Sequence, residues 1–82
     1  MKHYVYLIKS DKDGSIYTGC TDNIEKRLDE HNAGLSQYTK TKIPWTLKWY
    51  AVFFQEADAF SFEKYLKTGS GRAFINKRVL GK

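Results

Sequence analysis

His3-Tyr4-Val5-Tyr6-Leu7-Ile8-Lys9 and, a short polar stretch later, Ser15-Ile16-Tyr17-Thr18-Gly19-Cys20 decide the fold. Both runs are rich in β-branched, aromatic and aliphatic residues and read as strands. Between them, Asp13-Gly14 is a hairpin turn signal because both positions tolerate positive φ. A two-residue turn there pairs Lys12 with Ser15, Ser10 with Tyr17 and Ile8 with Gly19, and a four-residue turn keeps the same parity. Alternation then puts Tyr4, Tyr6, Ile8, Tyr17 and Gly19 on one face and Cys20 on the other. A glycine inside a strand marks a bulge or the close approach of another group, which singles out Gly19.

Outward from the hairpin, Asp22-Asn23-Ile24-Glu25 reads as a helix start, with Asp22 as N-cap and Glu25 three residues on. This helix runs to His31 or Asn32 and stops at Gly34, a good left-handed residue. Its apolar stripe is thin, only Ile24 and Leu28, while Arg27 and His31, four apart, share a face. A loop over 35–44 carries Thr39, Lys40, Thr41 and Lys42. Residues 45–54 (WTLKWYAVFF) form the longest strand and are apolar on both sides, which predicts cover on both faces. The spacing of Ala59, Phe62 and Leu66 predicts a second helix, ended by Gly69. Ser70 then caps a short last helix whose apolar side is Phe74, Ile75 and Val79. The order β-β-α-β-α-α predicts an α+β fold, a three-stranded antiparallel sheet flanked by three helices.

The 82 residues suit one domain over 1–82, and 16% aromatic content marks a chain with a core to bury. No run of 18 apolar residues exists, so no membrane partner is expected. With no basic segment followed by an apolar stretch at the start, no signal peptide is read and a cytoplasmic location is expected. Cys20 is the sole cysteine, which rules out an internal disulfide and a cysteine-rich zinc site. Charge is uneven: residues 1–30 carry a net −1 and residues 31–82 a net +6, with no acid between His31 and Gln55. A basic surface of this kind favours a polyanion such as nucleic acid.

The residues that could carry chemistry are Tyr6, Tyr17, Arg27, His31 and Glu63. A strand tyrosine is more often packing than catalysis, and arginine and histidine on a helix are more often solvated. Glu63 stands out as the only acid in the last 24 residues, next to Phe62 in an apolar helix with basic residues around it. Its ordinary role would be a salt bridge to Lys67, four residues on, worth only about 0.3–0.5 kcal/mol. Cys20 as a nucleophile would need His3 or His31 as partner, but the alternation points it away from the tyrosines. Trp45, Trp49, Tyr50, Phe53 and Phe54 could stack on bases, although a chain this short needs them for its core.

Together these residues resemble the signature of the GIY-YIG nuclease superfamily. Tyr4-Val5-Tyr6 stands at the first element and Tyr17-Thr18-Gly19 at the second, with Tyr17 eleven residues after Tyr6. Arg27 follows ten residues later, His31 four after that, and Glu63 sits on a later helix. The stretch from Phe62 to Arg72 is similar to the small stand-alone members of UPF0213 type, so the resemblance covers essentially the whole chain. It departs from the pattern in having Tyr4 for the first glycine, Thr18 for isoleucine, and Cys20 where many relatives carry lysine. The position twelve residues after the glutamate, asparagine in some relatives, is Ile75 here, and the neighbouring Asn76 is not assigned a role.

The resemblance implies a metal-dependent endonuclease that hydrolyses nucleic-acid phosphodiesters, with low sequence specificity or with selectivity for structure. Tyr17 would be general base or orienting group for the attacking water, and Tyr6 would position that water or the phosphate. Arg27 would bind the phosphate, and His31 would assist proton transfer or touch the phosphate. Glu63 would hold one Mg²⁺ or Mn²⁺. A phenol titrates near ~10 in water, so a base role for Tyr17 requires positive charge nearby. Lys40, Lys42, Lys64, Lys67 and Arg72 are the expected backbone contacts. DNA is favoured over RNA as partner, and a protein that supplies specificity is compatible with so short a chain; DNA repair is one compatible setting. The alternative is a nucleic-acid-binding module of the same fold whose catalysis has lapsed.

Overall fold

In the computed structural model, which describes residues 2–81, the two opening runs form β1 (His3–Ser10) and β2 (Ile16–Thr21), paired antiparallel. Their register differs by two residues from the tight-turn expectation: Ile8 faces Tyr17 and Tyr6 faces Gly19. The Ser10 hydroxyl is the cause. It accepts from the Lys12 and Asp13 amides at 3.1 and 3.2 Å, while Gly14, at φ 78°, donates its amide to the Ser10 carbonyl. Asp13 Oδ1 takes the Ser15 amide at 2.9 Å and closes a four-residue loop. The facing parity is unchanged, so the tyrosines share a side as the alternation predicts.

α1 (Ile24–Asn32) is capped by Asn23 rather than Asp22: its side chain accepts from the Lys26 amide at 3.1 Å. The Thr21 hydroxyl fixes the choice by accepting the Asn23 amide at 3.2 Å, which leaves Asn23 extended at the helix mouth. At the other end Gly34, φ 79°, donates to the His31 carbonyl, and Leu35 donates to Glu30, a Schellman closure.

β3 (Trp45–Phe53) joins the other edge of β1, giving the strand order β2-β1-β3. As an edge strand it is not covered on both faces: Tyr50 and Val52 remain exposed. Its unbroken apolar look has a local explanation. Leu7 faces Trp49 but Ile8 faces Leu47, so Lys48 is an extra residue in a bulge. The bulge sends Leu47 and Trp45 to one side of the sheet and Trp49 and Phe53 to the other.

α2 (Glu56–Leu66) and α3 (Gly69–Phe74, continued by a π turn Ile75–Val79) cover the side of Val5 and Leu7. α3 is capped by Thr68, whose side chain accepts from the Gly71 amide, rather than by Ser70. Gly69 is accordingly the first residue of α3, without positive φ, and not the stop of α2. Gly71 is the glycine that the corner needs: a Cβ there would collide with the Tyr65 carbonyl and the Leu66 Cα. Two cores result. Val5, Leu7, Ala59, Leu66 and Ile75 fill one, and Tyr6, Ile8 and Trp45, with Tyr17, Ile24 and Leu28 packed on them, fill the other under α1.

Candidate active site

The second core is unusually polar at its centre. Tyr6 is 2% exposed and His31 is fully buried. The Tyr6 hydroxyl lies 2.8 Å from His31 Nε2, and His31 Nδ1 lies 2.7 Å from Thr39 Oγ1. Thr39 is itself fully buried, and its carbonyl accepts the Trp45 indole N–H at 2.9 Å. Asn32 ties the same corner by accepting the Trp45 amide at 2.6 Å and donating to the Trp45 carbonyl. Every buried polar side-chain atom among the described residues has a partner, as a polar core demands.

Gly19 makes this arrangement possible. The Tyr6 phenol crosses the opposing strand directly over it, and a Cβ at position 19 would lie 2.5 Å from the Tyr6 hydroxyl. The glycine is a slot for an aromatic ring rather than a bulge. Tyr17, half-buried, stands edge-on to His31 with ring centroids 5.1 Å apart and 6.4 Å from both Tyr6 and Trp45.

Burial raises the Tyr6 phenol to about 12, with the Arg27 guanidinium pulling it down and the charges of Tyr17 and Glu63 pushing it up. The phenol therefore keeps its proton at neutral pH. Burial, aided by the Arg27 charge, lowers His31 and favours its neutral form. Arg27 is anchored by Glu30 at 3.0 Å and remains about one-third exposed. Glu63 comes from α2, on the opposite side of the sheet, yet its charge reaches both Tyr6 and Cys20. Its carboxylate is 3.2 Å from Lys67 and is 20% exposed. Cys20 lies on the other face from the tyrosines, and burial raises its thiol, so it is a poor nucleophile.

A cleft of about 520 Å³ opens between β2 and the two C-terminal helices, lined by Tyr17, Thr18, Lys67, Arg72 and Asn76. Of the five expected cationic contacts, Lys67 and Arg72 belong to it. Lys42 is instead tied to the hairpin, 2.9 Å from Ser15 Oγ and 3.4 Å from Asp13, whereas Lys40 and Lys64 are exposed outside the cleft lining. Sequence reasoning did not single out Thr39 as part of the site. Its only signal is a small polar residue in a loop that follows a histidine-bearing helix.

Among the described residues no three His, Cys, Asp or Glu side chains converge. Glu63 is the carboxylate expected from the sequence to hold a divalent ion, and one carboxylate with water and phosphate oxygens for the rest is a donor set that Mg²⁺ accepts. Glu63 must leave Lys67 for that role, but a surface pair of this kind holds it by only about 0.3–0.5 kcal/mol.

Residues 2–78 match the family model described as the GIY-YIG catalytic domain. A UPF0213 protein of Staphylococcus haemolyticus is 46% identical over 70 residues, covering 84% of each chain. One from Staphylococcus saprophyticus is 43% identical over the same length and shares. The solution NMR structure of a UPF0213 protein from Bacillus halodurans superposes with a TM-score of 0.58 at 29% identity, covering 94% of this chain and 84% of that one.

Proposed function

This chain belongs to the GIY-YIG family, and from that membership we propose that it is an endonuclease, one catalytic domain over residues 1–82, that hydrolyses nucleic-acid phosphodiesters with a divalent metal ion. The observation that carries the reading is the linked cluster of Tyr6, Tyr17, Arg27 and His31, with Glu63 within electrostatic reach.

Arg27, held by Glu30 yet partly exposed, binds the scissile phosphate through its planar fork. Tyr17, half-buried and less enclosed than Tyr6, orients the attacking water, or accepts its proton when the positive charge of Arg27 and the metal ion has first drawn off its own. Tyr6, protonated and buried, turns its proton toward His31 and offers its oxygen as an acceptor that positions the water. His31 has both nitrogens engaged inside the core, so it acts on proton position through Tyr6 and makes no phosphate contact. Glu63 would hold the divalent ion, which when bound would supply Lewis-acid stabilisation of the developing charge. Lys67 and Arg72 guide the nucleic-acid backbone along the cleft.

The lapsed-module alternative has one observation in its favour, the engagement of Glu63 by Lys67. Purified protein incubated with supercoiled plasmid, branched DNA, single-stranded DNA and structured RNA separates the two readings. Cuts that require Mg²⁺ or Mn²⁺ and vanish in Tyr17→Phe support the nuclease and identify its substrate; salt-sensitive binding without cuts in any substrate supports the module.

A further inference from the structure

Thr39 is the residue that the proposed chemistry does not yet use, and it closes a chain of hydrogen bonds whose direction can be worked out. Arg27, whose guanidinium acts on the Tyr6 phenol, has only donors, so the Tyr6 oxygen meets it only as an acceptor. The Tyr6 proton is then free to point at His31 Nε2, 2.8 Å away. With Nε2 accepting from Tyr6, the single proton of a neutral imidazole lies on Nδ1, and Thr39 Oγ1 at 2.7 Å accepts it. Thr39 cannot drift from this position. Its amide donates to Ser36, and its carbonyl accepts both the Lys42 amide and the Trp45 indole.

We infer that Thr39 is a positioning residue of the active site, whose buried hydroxyl accepts from His31 and holds the imidazole as the Nδ1–H tautomer with Nε2 turned to Tyr6 as a proton acceptor. Without that hydroxyl, an Nδ1–H would be buried with no partner at a cost of about 1–3 kcal/mol, enough to favour the other tautomer. His31 would then present N–H to Tyr6, a donor where the site needs an acceptor. The kinetic consequence rests on the proposed nuclease reading; the tautomer itself does not.

Thr39→Val keeps the shape and removes the acceptor, while Thr39→Ser keeps the acceptor. Long-range ¹H–¹⁵N spectra of the imidazoles report the tautomer directly. His3 is the only other histidine, so His3→Gln assigns the signals. The expected result is Nδ1–H in the wild type and in Thr39→Ser, and Nε2–H in Thr39→Val. Nε2–H in the wild type, or an unchanged tautomer in folded Thr39→Val, overturns the assignment. If cleavage is observed, it should fall about 10- to 100-fold in Thr39→Val and recover in Thr39→Ser. Absence of cleavage in every protein would count against the nuclease reading and leave the spectra to decide the tautomer.

Discussion

At the scale of single residues, Tyr6 joins the hydrophobic core to the chemistry. Its ring fills the slot over Gly19, and its hydroxyl is the partner of a fully buried imidazole. Tyr6→Phe keeps the ring but leaves His31 Nε2 unpaired, which should destabilise the fold by about 1–3 kcal/mol in urea unfolding. His31 also gives stability a defined pH dependence. Its folded value is lowered below 6.5 by burial and by Arg27, with Glu30 opposing and the phenol of Tyr6 protonated. The unfolded chain thus binds a proton first as pH falls. Stability from this group is complete above 6.5, declines through the interval down to the folded value, and levels off below it. Urea midpoints at pH 7.5 and 5.5 should show a loss on acidification that His31→Gln reduces. An identical loss in both proteins would assign it to other groups.

At the scale of elements, the hairpin brings Tyr6 and Tyr17 to one side, and Gly19 lets the first reach over the second strand. Gly19→Ala should cost about 1–3 kcal/mol by overpacking against the Tyr6 ring. In a Tyr6→Leu background the same change should cost less than half as much, since the ring it meets is gone. Equal costs in the two backgrounds would contradict the slot. The element order and the tyrosine face were legible because alternation and periodicity are written locally. The hairpin register was not, because the Ser10 hydroxyl competes with the Asp13-Gly14 turn for the same amides. The caps slipped for a similar reason. Asp22 and Asn23 are equivalent by type, and only the Thr21 hydroxyl separates them; Thr68 and Ser70 are likewise both acceptable caps. The exposed outer row of β3 depends on strand order and on the Lys48 bulge, neither of which a nine-residue window contains.

At the scale of the molecule, α1 with Arg27 and α2 with Glu63 cover opposite sides of the sheet. The five residues proposed for the site come from spacing and family resemblance; Thr39 could not be read the same way, because it meets His31 only once the loop folds back over the helix. Net charge and the cleft cations predict salt-dependent binding. Replacing both Lys67 and Arg72 with alanine should weaken binding to all sequences alike and flatten the log–log salt slope by about 1.4–1.8. An unchanged slope would place the nucleic acid elsewhere on the surface. No helix among the described residues is long and apolar enough to cross a membrane.

The central claim is that one carboxylate equips this polar core for phosphodiester hydrolysis. Cleavage by Glu63→Ala beside the wild type, titrated with Mn²⁺ in EDTA-treated buffer, tests it most directly. Wild-type cutting should rise with Mn²⁺ and stop with EDTA, while Glu63→Ala unfolds at an undiminished urea midpoint and cuts at least 100-fold more slowly. A folded Glu63→Ala that cuts at the wild-type rate and with the same metal dependence would contradict the account.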